Sequence, residues 1–386
     1  MALSIYSGRM VTRARAALAG FAALALAMGI GRFAFTPLLP LMEDDAGLSL
    51  ADGGYLAASN YLGYLAGALW ATRAARTARA IRASLLAIAL TTAAMGVEQA
   101  MPGWLLFRFA AGVASAWALV HVSAWALPRL AGGPLLGGVL YSGVGAGIAL
   151  AGLLCLALMA FSVSSAHAWL TLGLLSLAIV ALLWPLIGDG SEAAPTHARA
   201  ALRWTPDTVR LVACYGAFGF GYIIPATYLP AMAKALVHDP LAFGWAWPVF
   251  GATAAASTVV AASLVPRHGN RRVWSTAALA MAIGVAAPLF VPGAAGIVLA
   301  ALLVGGTFMV ITMAGLQEAR AVGGAQAPQL MAAMTAAFAA GQVAGPLVVA
   351  VLAGRPHGFA LALAVAAIAL VASAVALATR EKPCPT

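Results

Sequence analysis

Arg32 and Arg108 each lie inside a long apolar run of this chain, and no carboxylate sits at the middle of any such run. A charge within an apolar segment is costly, so it marks a functional candidate. A guanidinium offers a planar fork of donors that matches a carboxylate or phosphate. An arginine with no built-in counter-ion points to negative charge supplied by a bound solute, and the chemistry in view is recognition or gating. The alternatives are that Arg32 satisfies carbonyls freed by Gly29, Gly31, Pro37 and Pro40, and that Arg108 snorkels to headgroups near Trp104. Asn60, Tyr64, Tyr222 and Gln342 are the uncharged substrate or gating candidates, with Tyr61, Tyr228 and Gln317 beside them. His121 and Glu318 are the residues available to carry protons, His121 because imidazole titrates near neutral pH. The plainer readings are a hydrogen bond to a neighbouring helix for His121 and an interfacial charge for Glu318. Glu98, like Glu318, falls near a helix end, and the other acids are expected in loops or the tail: Glu43, Asp44, Asp45 and Asp52 in one loop, Asp189, Glu192 and Asp207 in another.

The elements that must position these residues are helices. The 386 residues are 63% hydrophobic and 8% charged, more apolar surface than a soluble domain can bury. Twelve apolar runs, each long enough to cross about 30 Å of hydrocarbon, fill the chain. They are residues 18–42, 53–71, 83–101, 104–127, 134–161, 168–187, 211–233, 241–265, 273–290, 296–316, 327–352 and 359–379. The expected class is an all-α polytopic membrane protein with twelve transmembrane helices. Trp70, Trp104, Trp125 and Trp169 lie near the ends of these runs and are expected to anchor at the membrane interface. Of the 21 basic residues, 17 fall in alternate loops, which places both termini in the cytoplasm. The net charge of +10 then reflects topology and excludes a nucleic-acid partner. The first run is too long for a cleaved signal peptide and is read as a retained helix. Cys155, Cys214 and Cys384 have neither metal nor disulfide spacing. Phosphate loops, zinc spacings and nucleophile elbows are absent, so no enzyme, metal or cofactor is expected.

The chain repeats itself. Gly29-Ile-Gly31-Arg32 leads to Leu39-Pro40-Leu41-Met42, and Gly219-Phe-Gly221-Tyr222 leads to Leu229-Pro230-Ala231-Met232, each pair 190 positions apart. The offset also relates Arg82 to Arg272 and Pro102-Gly103 to Pro292-Gly293. Arg32 and Tyr222 are equivalent positions, so the two are expected to face each other. Two parallel six-helix repeats follow, residues 1–187 and 207–386, with a cytoplasmic connector at 188–206.

Several motifs resemble those of the major facilitator superfamily. Arg267-His268-Gly269-Asn270-Arg271-Arg272 resembles its basic loop motif, with Pro266 where the motif carries Asp. Arg108-x-x-x-Gly112 resembles the antiporter motif of the fourth helix, and Gly341-Gln342-x-x-Gly345-Pro346 a helix-packing motif of the eleventh. Gly29-Ile-Gly31-Arg32-Phe33-x-x-x-Pro37-Leu-Leu-Pro40-x-Met42, with the stretch from Tyr141 to Gly152 that contains Gly143 and Gly147, resembles the YbfB/YjiJ-like group. The resemblance implies the major facilitator fold, a functional monomer in the bacterial cytoplasmic membrane, and alternating access by a rocker switch. It aims Arg32 into a central cavity. The expected function is secondary active or facilitative transport of a small organic solute, an organic anion if Arg32 contacts it. A proton-linked drug or metabolite exporter is the alternative, followed by a transport-dead sensor or partner protein.

Overall fold

The computed structural model describes residues 2–71, 77–130, 134–188, 202–236 and 244–378. Arg73, Arg76, Arg199, Arg380, Lys382 and most of the expected connector at 188–206 lie outside them. Every regular element among the described residues is helical. In hydrocarbon an isolated helix satisfies its own backbone, which an open strand cannot do.

The order is α1 (Ala2–Leu24), α2 (Phe35–Asp45), α3 (Leu50–Ala71), α4 (Thr77–Met95), α5 (Met101–Ala126), α6 (Pro134–Ala160) and α7 (Ser165–Leu183). Then come α8 (Pro206–Leu236), α9 (Ala246–His268), α10 (Asn270–Phe290), α11 (Ala294–Gly323), α12 (Ala327–Leu352) and α13 (Gly358–Ala378). Ten stretches are long and apolar enough to cross a membrane, against the twelve runs expected. The difference has two sources. The single stretch Ala294–Leu352 holds both α11 and α12, joined by a 3-10 turn at Gly324–Gln326. Helix α3 has 22 residues, but Asp52, Asn60 and three tyrosines dilute its apolar character.

Side chains sort as lipid demands. Phe161, Leu182, Phe290 and Ile368 point outward, while glycine, alanine and aromatic residues fill the contacts between helices. Within the N-terminal set, α3 packs on α5, α4 on α5 and α7, and α1 on α6. In the C-terminal set α8 packs on α12 and α13, and α11 on α9 and α10. The two sets meet where α6 crosses α9, α3 meets α12 and α2 meets α8.

Several elements differ from expectation. Glu43, Asp44 and Asp45 form the last turn of α2, and Asp207 lies in the first turn of α8. Asp52 is likewise helical, closing a reciprocal cap in which Ser49 N–H donates to Asp52 Oδ2 at 3.0 Å and Asp52 N–H to Ser49 Oγ at 3.1 Å. Of the four tryptophans expected to anchor at the membrane interface, only Trp70 is exposed. Trp104 is buried and donates to the carbonyls of Met95 and Glu98, and Trp169 is buried and donates to Met42 Sδ. The first apolar run is not one helix but two, and the break carries Arg32.

Candidate functional site

The break begins with a π-helical turn at Ala25–Ile30, in which Gly31 N–H reaches back to Leu26 C=O and Phe33 N–H to Met28 C=O. Helix α2 restarts at Phe35, and Pro37, which has no N–H, sits in its first turn. Thr36 N–H turns to Phe33 C=O at 3.2 Å instead of to Arg32 C=O. The carbonyl of Arg32 is thereby released from the helix. Arg108, on α5, takes up that acceptor: its Nη2 donates to Arg32 C=O at 3.0 Å. Asn60 on α3 holds the α5 backbone in turn, its Nδ2 donating to Arg108 C=O at 2.8 Å. Arg108 is therefore inside the protein, 2% exposed, and does not snorkel.

The Arg32 side chain is also 2% exposed. Its guanidinium carbon lies 4.1 Å from the ring centroid of Tyr64, 5.1 Å from Tyr61 and 5.2 Å from Phe33, a cation held among aromatic rings. Its Nε and Nη2 have no hydrogen-bond partner among the described residues, and no described carboxylate pairs with it or with Arg108. Facing it on α8 is Tyr222, whose hydroxyl lies within electrostatic reach of Arg32, Tyr61 and Tyr64. Gln342 on α12 donates through Nε2 to the Tyr222 hydroxyl, leaving its own Oε1 unpartnered. The Tyr222 ring stacks on Phe308 and Phe338, nearly parallel to both at 4° and 8°. Arg32, Arg108, Asn60, Tyr64, Tyr222 and Gln342 thus form one buried assembly contributed by both sets of helices.

The remaining candidates sit elsewhere. His121 lies 13 residues along α5 from Arg108, about 20 Å by helix rise, with its ring edge-on to Trp117. Glu318, at the far end of α11, accepts from Arg271 Nε at 2.5 Å and from Asn270 Nδ2 at 3.1 Å. Arg271 also binds Asp207 through Nη1 at 2.9 Å and Nη2 at 2.5 Å. The basic loop is a tight turn at Gly269, where φ is +82°, with Arg267 and Arg272 exposed on either side. The glycines lie at helix contacts: Gly29 on Gly147, Gly143 on Phe21, Gly31 on Ile88 and Ser115, Gly341 on Gly216 and Phe220, and Gly345 on Ile223. Pro346 turns its carbonyl toward Gly54 on α3.

Other participants were missed. Lys234 at the end of α8 donates to Pro40 C=O at 2.8 Å and to Asp44 Oδ1 at 2.5 Å, and lies 4.0 Å from Glu43. Thr36 Oγ1 donates to Ala226 C=O at 2.8 Å, and the hydroxyls of Tyr61 and Thr227 are 3.1 Å apart. The repeat offset could have found two of these contacts, since Thr36 and Ala226, like Asp44 and Lys234, are 190 positions apart. Phe308, Phe338 and Trp247 carry no local signal that separates a site ring from a packing ring.

The sequence from residue 24 to residue 378 matches the family described as "Uncharacterised MFS-type transporter YbfB". The chain belongs to this transporter family. It is a major facilitator protein of the membrane and not an enzyme. Its fold is shared with a single-residue mutant of the nucleoside transporter NupG, at 15% identity and a TM-score of 0.71, over 95% of this chain and 98% of that one. It is also shared with a bacterial homolog of the human lysosomal transporter Spinster, in an inward-facing and occupied conformation. That match has 15% identity and a TM-score of 0.68, over 95% of this chain and 94% of that one. No curated protein matches the sequence.

Proposed function

We propose that this MFS protein moves a small organic anion across the bacterial cytoplasmic membrane by alternating access, with Arg32 binding the anion. The observation that carries the reading is a buried guanidinium whose Nε and Nη2 have no partner among the described residues and which no described carboxylate neutralises. A buried charge left this way is destabilising unless a ligand completes it. Twelve crossings in two six-helix bundles, residues 1–187 and 207–386 around a connector at 188–206, are the architecture we assign. Rocking of one bundle on the other, in a functional monomer with both termini cytoplasmic, exposes the site alternately to each side.

The hydrogen bonds that join the two sets through described residues support this. Thr36 to Ala226, Tyr61 to Thr227, and Lys234 to Pro40 and Asp44 all lie between the Arg32 level and the Asp44 end. The state described is closed on that side, which the distribution of basic residues makes the outer side. The proton-linked alternative draws less support, because Glu318 is engaged by Arg271 and Asn270.

The test is ligand-induced stabilisation of purified protein by organic anions, organic cations and neutral sugars, with Arg32→Gln in parallel. At 100 times its Kd a ligand stabilises the native state by about 2.7 kcal/mol, a readable rise in Tm. Anions should stabilise the wild type and leave Arg32→Gln unmoved. Stabilisation by cations or neutral compounds alone, equal in both proteins, would overturn the proposal.

A further inference from the structure

Resting on the anion reading above, we infer that the substrate is an aromatic carboxylate bearing a hydroxyl or amide group at the end remote from the carboxylate. Arg32 accounts for the charged end. The other end is set by Gln342 and Tyr222, which lie on the opposite set of helices and are buried, Gln342 at 0% and Tyr222 at 1% exposed.

These two residues form an amide–phenol pair that keeps further donors and an acceptor to offer. With Gln342 Nε2 donating one N–H to the Tyr222 oxygen, what is left is Gln342 Oε1, an acceptor, and two donors, the second amide N–H and the Tyr222 O–H. With the amide turned over, Tyr222 donates to the carbonyl, and the free groups become the two amide N–H donors and a phenol lone pair. Either way the pair presents donor and acceptor together. A hydroxyl or amide group both donates and accepts, so it can answer a donor and an acceptor of the pair at once, whereas a bare C–H end leaves all of these buried polar groups unpaired.

Both ends are set among aromatic rings. Tyr61 and Tyr64 flank Arg32, and across from them Phe308, Tyr222 and Phe338 form a stack of nearly parallel planes. Trp247, buried beside Phe33 and stacked on Phe250, extends the aromatic surface and carries an unpartnered Nε1–H. Flat rings packed on flat rings favour a planar ligand over a branched aliphatic one.

The probes are benzoate, 4-hydroxybenzoate, cyclohexanecarboxylate and 4-hydroxybenzyl alcohol. Their binding to the full-length protein in detergent is measured by calorimetry. One satisfied buried hydroxyl corresponds to roughly 10-fold in affinity. 4-Hydroxybenzoate should therefore bind wild type about 10-fold more tightly than benzoate, and benzoate more tightly than cyclohexanecarboxylate. In Gln342→Leu the hydroxyl preference should fall to within about twofold. Tyr222→Phe, which keeps the stacked ring and removes only the hydroxyl, should do the same and serves if Gln342→Leu does not fold. Equal binding of benzoate and 4-hydroxybenzoate, both lost in Arg32→Gln, would overturn this inference while leaving the anion reading standing. Binding of the neutral alcohol as tightly as the acids, unchanged in Arg32→Gln, would overturn both.

Discussion

Thr36 donates its hydroxyl to the carbonyl of Ala226 at 2.8 Å, and these residues stand 190 positions apart, the offset that separates the repeated motifs. In a protein built from two copies of one unit, equivalent residues touch only beside the axis relating the copies. Asp44 and Lys234 obey the same offset two turns further along the same two helices. Arg32 and Tyr222 obey it one turn in the other direction. The contact proposed to close one end and the pair proposed to face the ligand thus belong to a single line of equivalent positions, which would make closure and ligand contact mechanically adjacent.

Removing the Thr36 hydroxyl should loosen that closure. A buried hydrogen bond contributes about 1 kcal/mol, which corresponds to roughly a fivefold change in the open-to-closed ratio. Thr36→Val keeps the shape and loses the donor. In a background with Cys155, Cys214 and Cys384 replaced, Tyr228→Cys reports access, because Tyr228 is fully buried in the closed state. Its labelling by an impermeant maleimide added from the Asp44 side should rise severalfold in Thr36→Val. Unchanged labelling would mean that the bond does not hold this end shut.

The Lys234–Asp44 pair should act in the same direction but more weakly. The Asp44 side chain is 69% exposed, so solvent screens the attraction to about 0.5 kcal/mol or less. Lys234→Glu puts like charges against Asp44 and Glu43 and should increase Tyr228→Cys labelling. Adding Asp44→Lys should restore part of the closure, though not the bond to Pro40 C=O. A double variant that labels no less than the single one would show that the charges are incidental.

How much of this was legible beforehand follows from what is periodic and what is not. The repeat was legible because Gly, Pro and Met recur at a fixed offset, and Arg32, Tyr64, Tyr222 and Gln342, singled out by residue type within apolar runs, lie together in one buried assembly. The break at Gly29 to Pro37 was signalled by residue type. Its consequence was not, since the transfer of Arg32 C=O to Arg108 depends on a side chain 76 positions away. The acids of α2 and α8 read as loop residues because charge resembles loop composition, whereas they lie on helix ends where Asp44 pairs with Lys234 and Asp207 with Arg271. Burial of Trp104 and Trp169 escaped for a related reason: a tryptophan near a helix end has the same sequence context whether it faces lipid or another helix.

Where α6 crosses α9, Gly145 meets the backbone at Ala255, and Gly251 meets the backbone at Ala149. A Cβ here strikes main chain rather than a flexible side-chain tip, so the helices must separate. This crossing joins the two sets of helices, so separation should disturb their relative motion as well as stability. Gly251→Val should lower Tm and cut transport at least 10-fold, since overpacking of this kind costs about 1–3 kcal/mol. Gly137, which has open space around it, is the control: Gly137→Ala should leave both within error. Equal tolerance at the two positions would show that the crossing is not close-packed in the working protein.

Arg108 should act on the ligand only through Arg32. Its Nη2 satisfies the carbonyl that the helix break exposes, and a hydrogen bond to a charged donor contributes about 1.5–3 kcal/mol. Arg108→Gln is too short to reach that carbonyl and leaves it buried without a donor. Two changes are expected together: a fall in Tm, and roughly 10-fold weaker binding of every anion that binds wild type, with the order of preference among anions kept. Arg108→Lys, which can still supply a charged N–H, should recover part of both. The two readouts separate positioning from contact. If Arg108→Gln melts like wild type but reorders the anions, Arg108 touches the ligand directly. If it melts lower while binding unchanged, the break holds Arg32 in place without it.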